Sequence, residues 1–287
     1  MWNLRWQVQG FLQVCPDATP EELCQRFAAG SEGDRGNIRR ACQEQTWDDQ
    51  RCTFARVLLV NLCAVYESWT AQVLTVLGAR CKAKEDDLQY PDLTTRGKRR
   101  GVSAAITAIT AAESPVIKAS IYPSLQRNER YALKHIQALM LCYRYFKECR
   151  NTFIHQNGIP DQRTENAFAA FRTVATTAQL GMKEVPEHYP IDQQHAVQIS
   201  LRGVVGFSDV ILRLIATLDI ELSRAAMAER ELIAQWRATH PERPCLSSLR
   251  QDKRDRRLSN HFRHMGLPTP TALEGLLQFL LRKGLIS

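Results

Sequence analysis

The run ECRNTFIHQNG, residues 148–158, places Arg150, Asn151 and His155 close together at the end of a long, largely apolar helical pattern. An imidazole can act as general base or general acid near neutral pH. A guanidinium grips two oxygens of one phosphate through its planar fork, a geometry that lysine lacks. Asn151 and His155 are four apart and share a helical face, and Arg150 lies about 100° around from Asn151, so all three can border one cleft. A plainer use of the same residues is local: Arg150 complements the helix end and His155 caps a carbonyl of its last turn.

Two other groups of residues could join such a site. Glu67 lies one long helix earlier and could hold Arg150 or orient His155; as a residue of an amphipathic helix it could equally be solvated. Arg96, Lys98, Arg99 and Arg100 form a basic loop that could touch phosphate or simply face water. The remaining histidines have no mutual metal-ligand spacing; His261 and His264 are three apart but lack partner ligands. Neither a metal nor a cofactor is expected.

Helices must position these groups. Apolar residues recur at three-and-four spacing in long windows, and period-two alternation is nearly absent, which predicts an all-α protein. Thr19, Pro20 and Glu22 form a capping box at the start of a short helix. Gly30, Gly33 and Gly36 mark a loop before a second short helix ending near Gln45. Long helices are expected over 49–77, 126–157 and 195–235, and shorter ones over 102–112 and 164–181. Gly158 and Pro160 are the stop signals of the helix that carries the motif. ATHPERP, after Trp236, reads as a linker into a small C-terminal helical module with helices at 247–264 and 271–283. The division expected is therefore an N-terminal extension over 1–48, a main helical domain over 49–236 and a basic module over 241–287.

Hydrophobic residues make up 44% and charged residues 24%, which suits a folded chain rather than a disordered one. The formal net charge of +8 favours a polyanionic partner such as RNA or DNA. From Ala228 onward eleven Lys/Arg face six Asp/Glu, which suggests a helix-turn-helix or winged-helix-like contact with nucleic acid, or a basic docking surface. Nine cysteines without a CxxC pair argue against a disulfide framework and for buried thiols in a reducing cytosol. The first residues lack a signal-peptide pattern, and Asn61, Glu67 and Gln72 interrupt the apolar run 57–77, so it reads as a core helix and no membrane is expected.

Arg150, four residues and His155, with Asn151 after the arginine, QNG at the helix end and YESW on a preceding long helix, resemble the signature of the HEPN superfamily. The likeness covers roughly residues 50 to 225. It implies an all-α, HEPN-like helical bundle, here with a small helical C-terminal module. It also implies a metal-independent endoribonuclease of a toxin–antitoxin or anti-phage defence system. Such cleavage needs a base for a 2′-hydroxyl, an acid for the leaving 5′-oxygen and positive charge on the phosphate. One chain supplies one histidine of the motif. The family packs two domains with their motifs facing, which implies a homodimer with Arg150 and His155 of both chains at one site. The products would be 2′,3′-cyclic phosphate and 5′-hydroxyl ends. Asn151 would donate to phosphate or orient the histidine.

The implied partners are an RNA substrate such as tRNA or mRNA, a second copy of the chain and an antitoxin or defence-system protein, in the cytoplasm. Two other functions compete. A HEPN module without catalysis would bind nucleic acid or nucleotide in the same cleft, and a helical scaffold or regulator would act through its C-terminal basic module.

Overall fold

The computed structural model describes residues 2–29, 38–77, 85–95, 97–246 and 250–287. In chain order its helices are α1 (Trp2–Val14), α2 (Pro20–Phe27), α3 (Trp47–Leu77), α4 (Glu85–Leu88), α5 (Val102–Ile109), α6 (Pro115–Ser120), α7 (Tyr122–Leu125), α8 (Ile136–His155), α9 (Gln162–Arg172), α10 (Thr177–Leu180), α11 (Leu201–Ser223), α12 (Ala228–Thr239), α13 (Gln251–His264) and α14 (Leu273–Arg282). A π-helical turn covers Arg40–Glu44, and a 3₁₀ turn covers Leu133–His135. Among the described residues the all-α expectation holds except for one antiparallel hairpin of β1 (Leu93–Thr95) and β2 (Lys98–Arg100). That hairpin is the predicted basic loop. Gly97, at φ +73°, supplies the turn.

Three helices carry the main core. Contacts run from Arg56 to Phe153 and from Tyr66 to Tyr143, so positions rise along α3 as they fall along α8 and the two are antiparallel. Phe146 stacks on Phe207, while the backbone of Ala132 donates to Thr217 Oγ1, which makes α11 antiparallel to α8 as well. Leu59, Cys63 and Tyr66 of α3, Leu139 and Phe146 of α8, and Phe207 and Leu214 of α11 are fully buried between them. α3 is long and apolar enough, by length and composition, to cross a membrane. Its inner face packs on α8 and α11, while Phe54, Val57, Val65 and Val76 are about half exposed.

Several helix limits differ from the sequence pattern for local reasons. α8 begins at Ile136 rather than near 126 because Asn128 folds the chain into a turn, accepting from Arg130 N through its side chain and from Tyr131 N through its carbonyl. The long pattern over 195–235 breaks in two. Ser200 caps α11 by accepting from Gly203 N. Around 224–226 the backbone bonds to the 112–114 segment instead, through Ser114 N to Arg224 O and Ala226 N to Ala112 O. The pattern over 164–181 divides into α9 and α10 at the turn after Arg172. The capping box forms as expected, with Thr19 and Glu22 each bonding the other's backbone. Gly30, Gly33 and Gly36 lie outside the described residues.

A second apolar cluster joins α12, α13 and α14 with Ile117 and Ile121. Trp236 is fully buried at its centre. The boundary expected between 236 and 241 therefore cuts through this core: α12 belongs with the C-terminal helices. A small cluster of Val8, Leu12, Leu23 and Cys42 lies at the N-terminal end.

Candidate functional site

α8 brings the motif residues to the α3 interface and then stops. Its last turn closes through Gly158 N to Thr152 O, with Asn157 at φ +51° and Gly158 at φ +86°. That left-handed pair is what the QNG sequence permits. The turn is tied outward too: Gly158 O accepts from Val197 N at 2.8 Å, and Thr152 Oγ1 meets Thr164 Oγ1 of α9 at 3.0 Å.

Arg150 Nη2 donates to Glu67 Oε1 across the α3–α8 interface. The same carboxylate oxygen lies 3.0 Å from Lys147 Nζ. These side chains are only 15%, 15% and 28% exposed for Arg150, Lys147 and Glu67, so the cluster is shielded but reachable. Lys147 Nζ also donates to Gln89 Oε1 at 2.5 Å, and Gln89 Nε2 donates to Thr70 Oγ1 at 3.0 Å. Arg150 Nε is buried and unpartnered, which leaves a donor on the guanidinium. Cys63 lies fully buried beneath; burial pushes its thiol up to about 11 against the pull of Arg150. It is therefore a neutral thiol at physiological pH and no nucleophile.

Asn151 and His155 face elsewhere. Asn151 Nδ2 donates to Glu148 Oε2 at 3.1 Å, and the buried Glu148 is itself paired with Arg144. His155 is exposed and has no hydrogen-bonding or ionic partner among the described residues. Within one chain, then, Glu67 and Arg150 meet, but among the described residues neither Asn151 nor His155 makes a side-chain hydrogen bond or ion pair with them. Arg150 and His155 are five apart, about 140° around the helix, which accounts for the separation. Of the basic loop, Arg100 is paired with Asp87 at 3.1 Å, and Lys98 and Arg99 are exposed without such a partner among the described residues. Arg96 lies outside the described residues.

Sequence reasoning missed Arg144, Lys147, Glu148 and Gln89. Arg144 and Glu148 carry a readable signal, opposite charges at i, i+4, and Lys147 is a turn before Arg150 on the same side. Gln89 has no such signal.

Beside the motif turn is a cavity of about 520 Å³, lined by Arg51, Arg56, Tyr189, His195 and Val197 among others. The Arg56 guanidinium lies 4.7 Å from the ring centre of Phe153, between Asn151 and His155 in sequence, and has no carboxylate partner among the described residues. Among the described residues, no three His, Cys, Asp or Glu side chains converge as a metal-binding set. No family model, curated protein or solved structure matches this chain.

Proposed function

We propose that this chain is a metal-independent endoribonuclease of the HEPN type, working in the cytoplasm within a toxin–antitoxin or anti-phage defence system. The observation that carries the reading is the Glu67–Arg150 pair at the α3–α8 interface, on the same helix whose last turn exposes His155. Arg150 would bind the scissile phosphate, exchanging Glu67 for phosphate oxygens. His155 would take the 2′-hydroxyl proton or supply a proton to the leaving 5′-oxygen. With Arg150 and His155 on different sides of α8, one chain is an incomplete site, which favours a homodimer in which the second copy brings its own pair. The exposed Phe54, Val57 and Val65 of α3 and Ile154 and Ile159 near His155 provide apolar surface for that contact. The cavity beside the turn, where Arg56 faces no carboxylate among the described residues and Arg51 is paired with Asp48 at 3.3 Å, offers room for a nucleotide next to the cut.

The test is cleavage of end-labelled total RNA in EDTA by the wild type, His155→Ala and Arg150→Ala, with folding checked by circular dichroism. Cleavage by the wild type alone, leaving 2′,3′-cyclic phosphate ends, is the expected result. Cleavage that requires added divalent metal would overturn the mechanism. A non-catalytic binding module is the second reading, favoured by His155, which has no partner among the described residues to orient it; it predicts RNA binding by all three proteins without cleavage.

A further inference from the structure

α13 is fixed on its inner side. Leu258 and Phe262 are fully buried with Trp236, Leu276 and Leu280. Its opposite side carries Lys253, Arg256, Arg257, Asn260, Arg263 and His264, all exposed. With 3.6 residues per turn these six fall within one arc centred opposite Leu258 and Phe262, extending about 16 Å along the axis. Its charged residues are all basic, around the neutral Asn260, with Asp252 at its margin.

None of Lys253, Arg256, Arg257 and Arg263 has an acidic partner among the described residues, whereas Arg254, on the flank, lies 3.9 Å from Asp255 and 3.5 Å from Glu274. The nearby carboxylates thus compensate the flanking arginine and leave the outer row bare. Like charges three and four apart on a helix repel, so such a row opposes helix stability unless an anion meets it. Three of its four cations are arginines, whose forks fit phosphate oxygens in pairs. The face has no exposed apolar residue to insert into a lipid surface, which disfavours a bilayer as the anion.

We propose that the outer face of α13 docks the phosphodiester backbone of RNA through Lys253, Arg256, Arg257 and Arg263, apart from the Arg150 and His155 site. The choice of RNA over DNA rests on the nuclease reading; the polyanion chemistry does not. The face reads backbone charge rather than sequence and holds the strand while the cleft acts on it.

The test uses the full chain carrying His155→Ala, in EDTA, with fluorescence anisotropy of a labelled single-stranded RNA across about 50 to 200 mM salt. Arg256→Gln, Arg257→Gln and Arg263→Gln combined should weaken binding at least about tenfold. The slope of log affinity against log salt should shrink by about 2, at about 0.7 for each phosphate no longer neutralised. Arg202→Gln, which removes an exposed charge elsewhere, should change neither. If the triple variant melts early, Arg256→Gln alone is read, with a slope decrease of about 0.7. Unchanged affinity and slope overturn the docking face. Equal or tighter face-dependent binding of duplex DNA, or of phosphatidylserine vesicles, overturns RNA as its occupant. Wild-type cleavage in EDTA with RNA affinity unaffected by the triple variant removes the docking face and keeps the nuclease. Face-dependent RNA binding without wild-type cleavage does the reverse.

Discussion

The indole Nε1 of Trp236 donates to the carbonyl oxygen of Leu285 at 3.1 Å, joining α12 to the chain 49 residues later. Ending the chain at 240 therefore removes both this acceptor and the apolar cover supplied by Leu258, Phe262, Leu276 and Leu280. Such a truncation is expected to bind a hydrophobic dye and to aggregate, and Trp236→Ala in the full chain to lose about 3–5 kcal/mol. Urea unfolding followed by circular dichroism measures the second; a truncated protein that stays monomeric and dye-free would refute the first.

Glu67 neutralises two cations in a shielded place. Glu67→Ala takes the shared carboxylate from Arg150 and leaves Lys147 only Gln89 among the described residues, and should cost about 1–3 kcal/mol; Glu67→Gln, which keeps a hydrogen-bond acceptor, should cost less. In a double-mutant cycle with Arg150→Met the two effects should be non-additive. Additive effects in urea titrations would mean that the pair contributes nothing to stability.

Gly158 holds φ +86° where the chain leaves α8. Ala at this position should cost about 1–2 kcal/mol from backbone strain and should shift the turn carrying His155. Stability would be read from thermal melts and the turn from the His155 imidazole resonances. Unmoved resonances together with an unchanged melting temperature would count against that role for the turn.

His240 and His261 pack edge to face with ring centres 4.5 Å apart, both against Trp236. Burial holds both below the usual histidine value, and for His261 the charges of His240, His264 and Arg257 push the same way. With the folded value lower, the unfolded chain takes up protons first. Their contribution is thus present above pH 6.5 and lost as pH falls from there through the folded values. The melting temperature should drop between about pH 7 and pH 5.5, and His240→Gln with His261→Gln should flatten that drop. The depressed carboxylates Glu113 and Asp161 act only at lower pH, below 4.5, so the windows separate. A drop of the same size in the double variant would assign it to other groups.

The parts legible in the sequence were those governed by neighbours along the chain. The Thr19 and Glu22 capping box, the Gly158 stop and the extent of α3 each depend on a few consecutive residues. The pairing of Glu67 with Arg150 depends on how two helices 83 residues apart in sequence align, and nothing within either helix fixes that register. The break near 224 was hidden for the same reason: the sequence there continues the apolar periodicity, and the interruption comes from backbone bonds to 112–114. The basic loop read as coil because its strands are three residues each and fully polar on β2, too short for alternation to register. The motif residues were identified by spacing, and the same five-residue spacing already put His155 about 140° around α8 from Arg150; that Asn151 would bond Glu148 it did not say.

Because Lys147 shares Glu67 with Arg150, an anion arriving at Arg150 would meet a ligand exchange: were the guanidinium to turn to it, the carboxylate would keep a cationic partner and no bare charge would be left between α3 and α8. Opening the arginine would then be a swap of one acceptor for another, eased by Lys147, a residue that need not touch the incoming group at all.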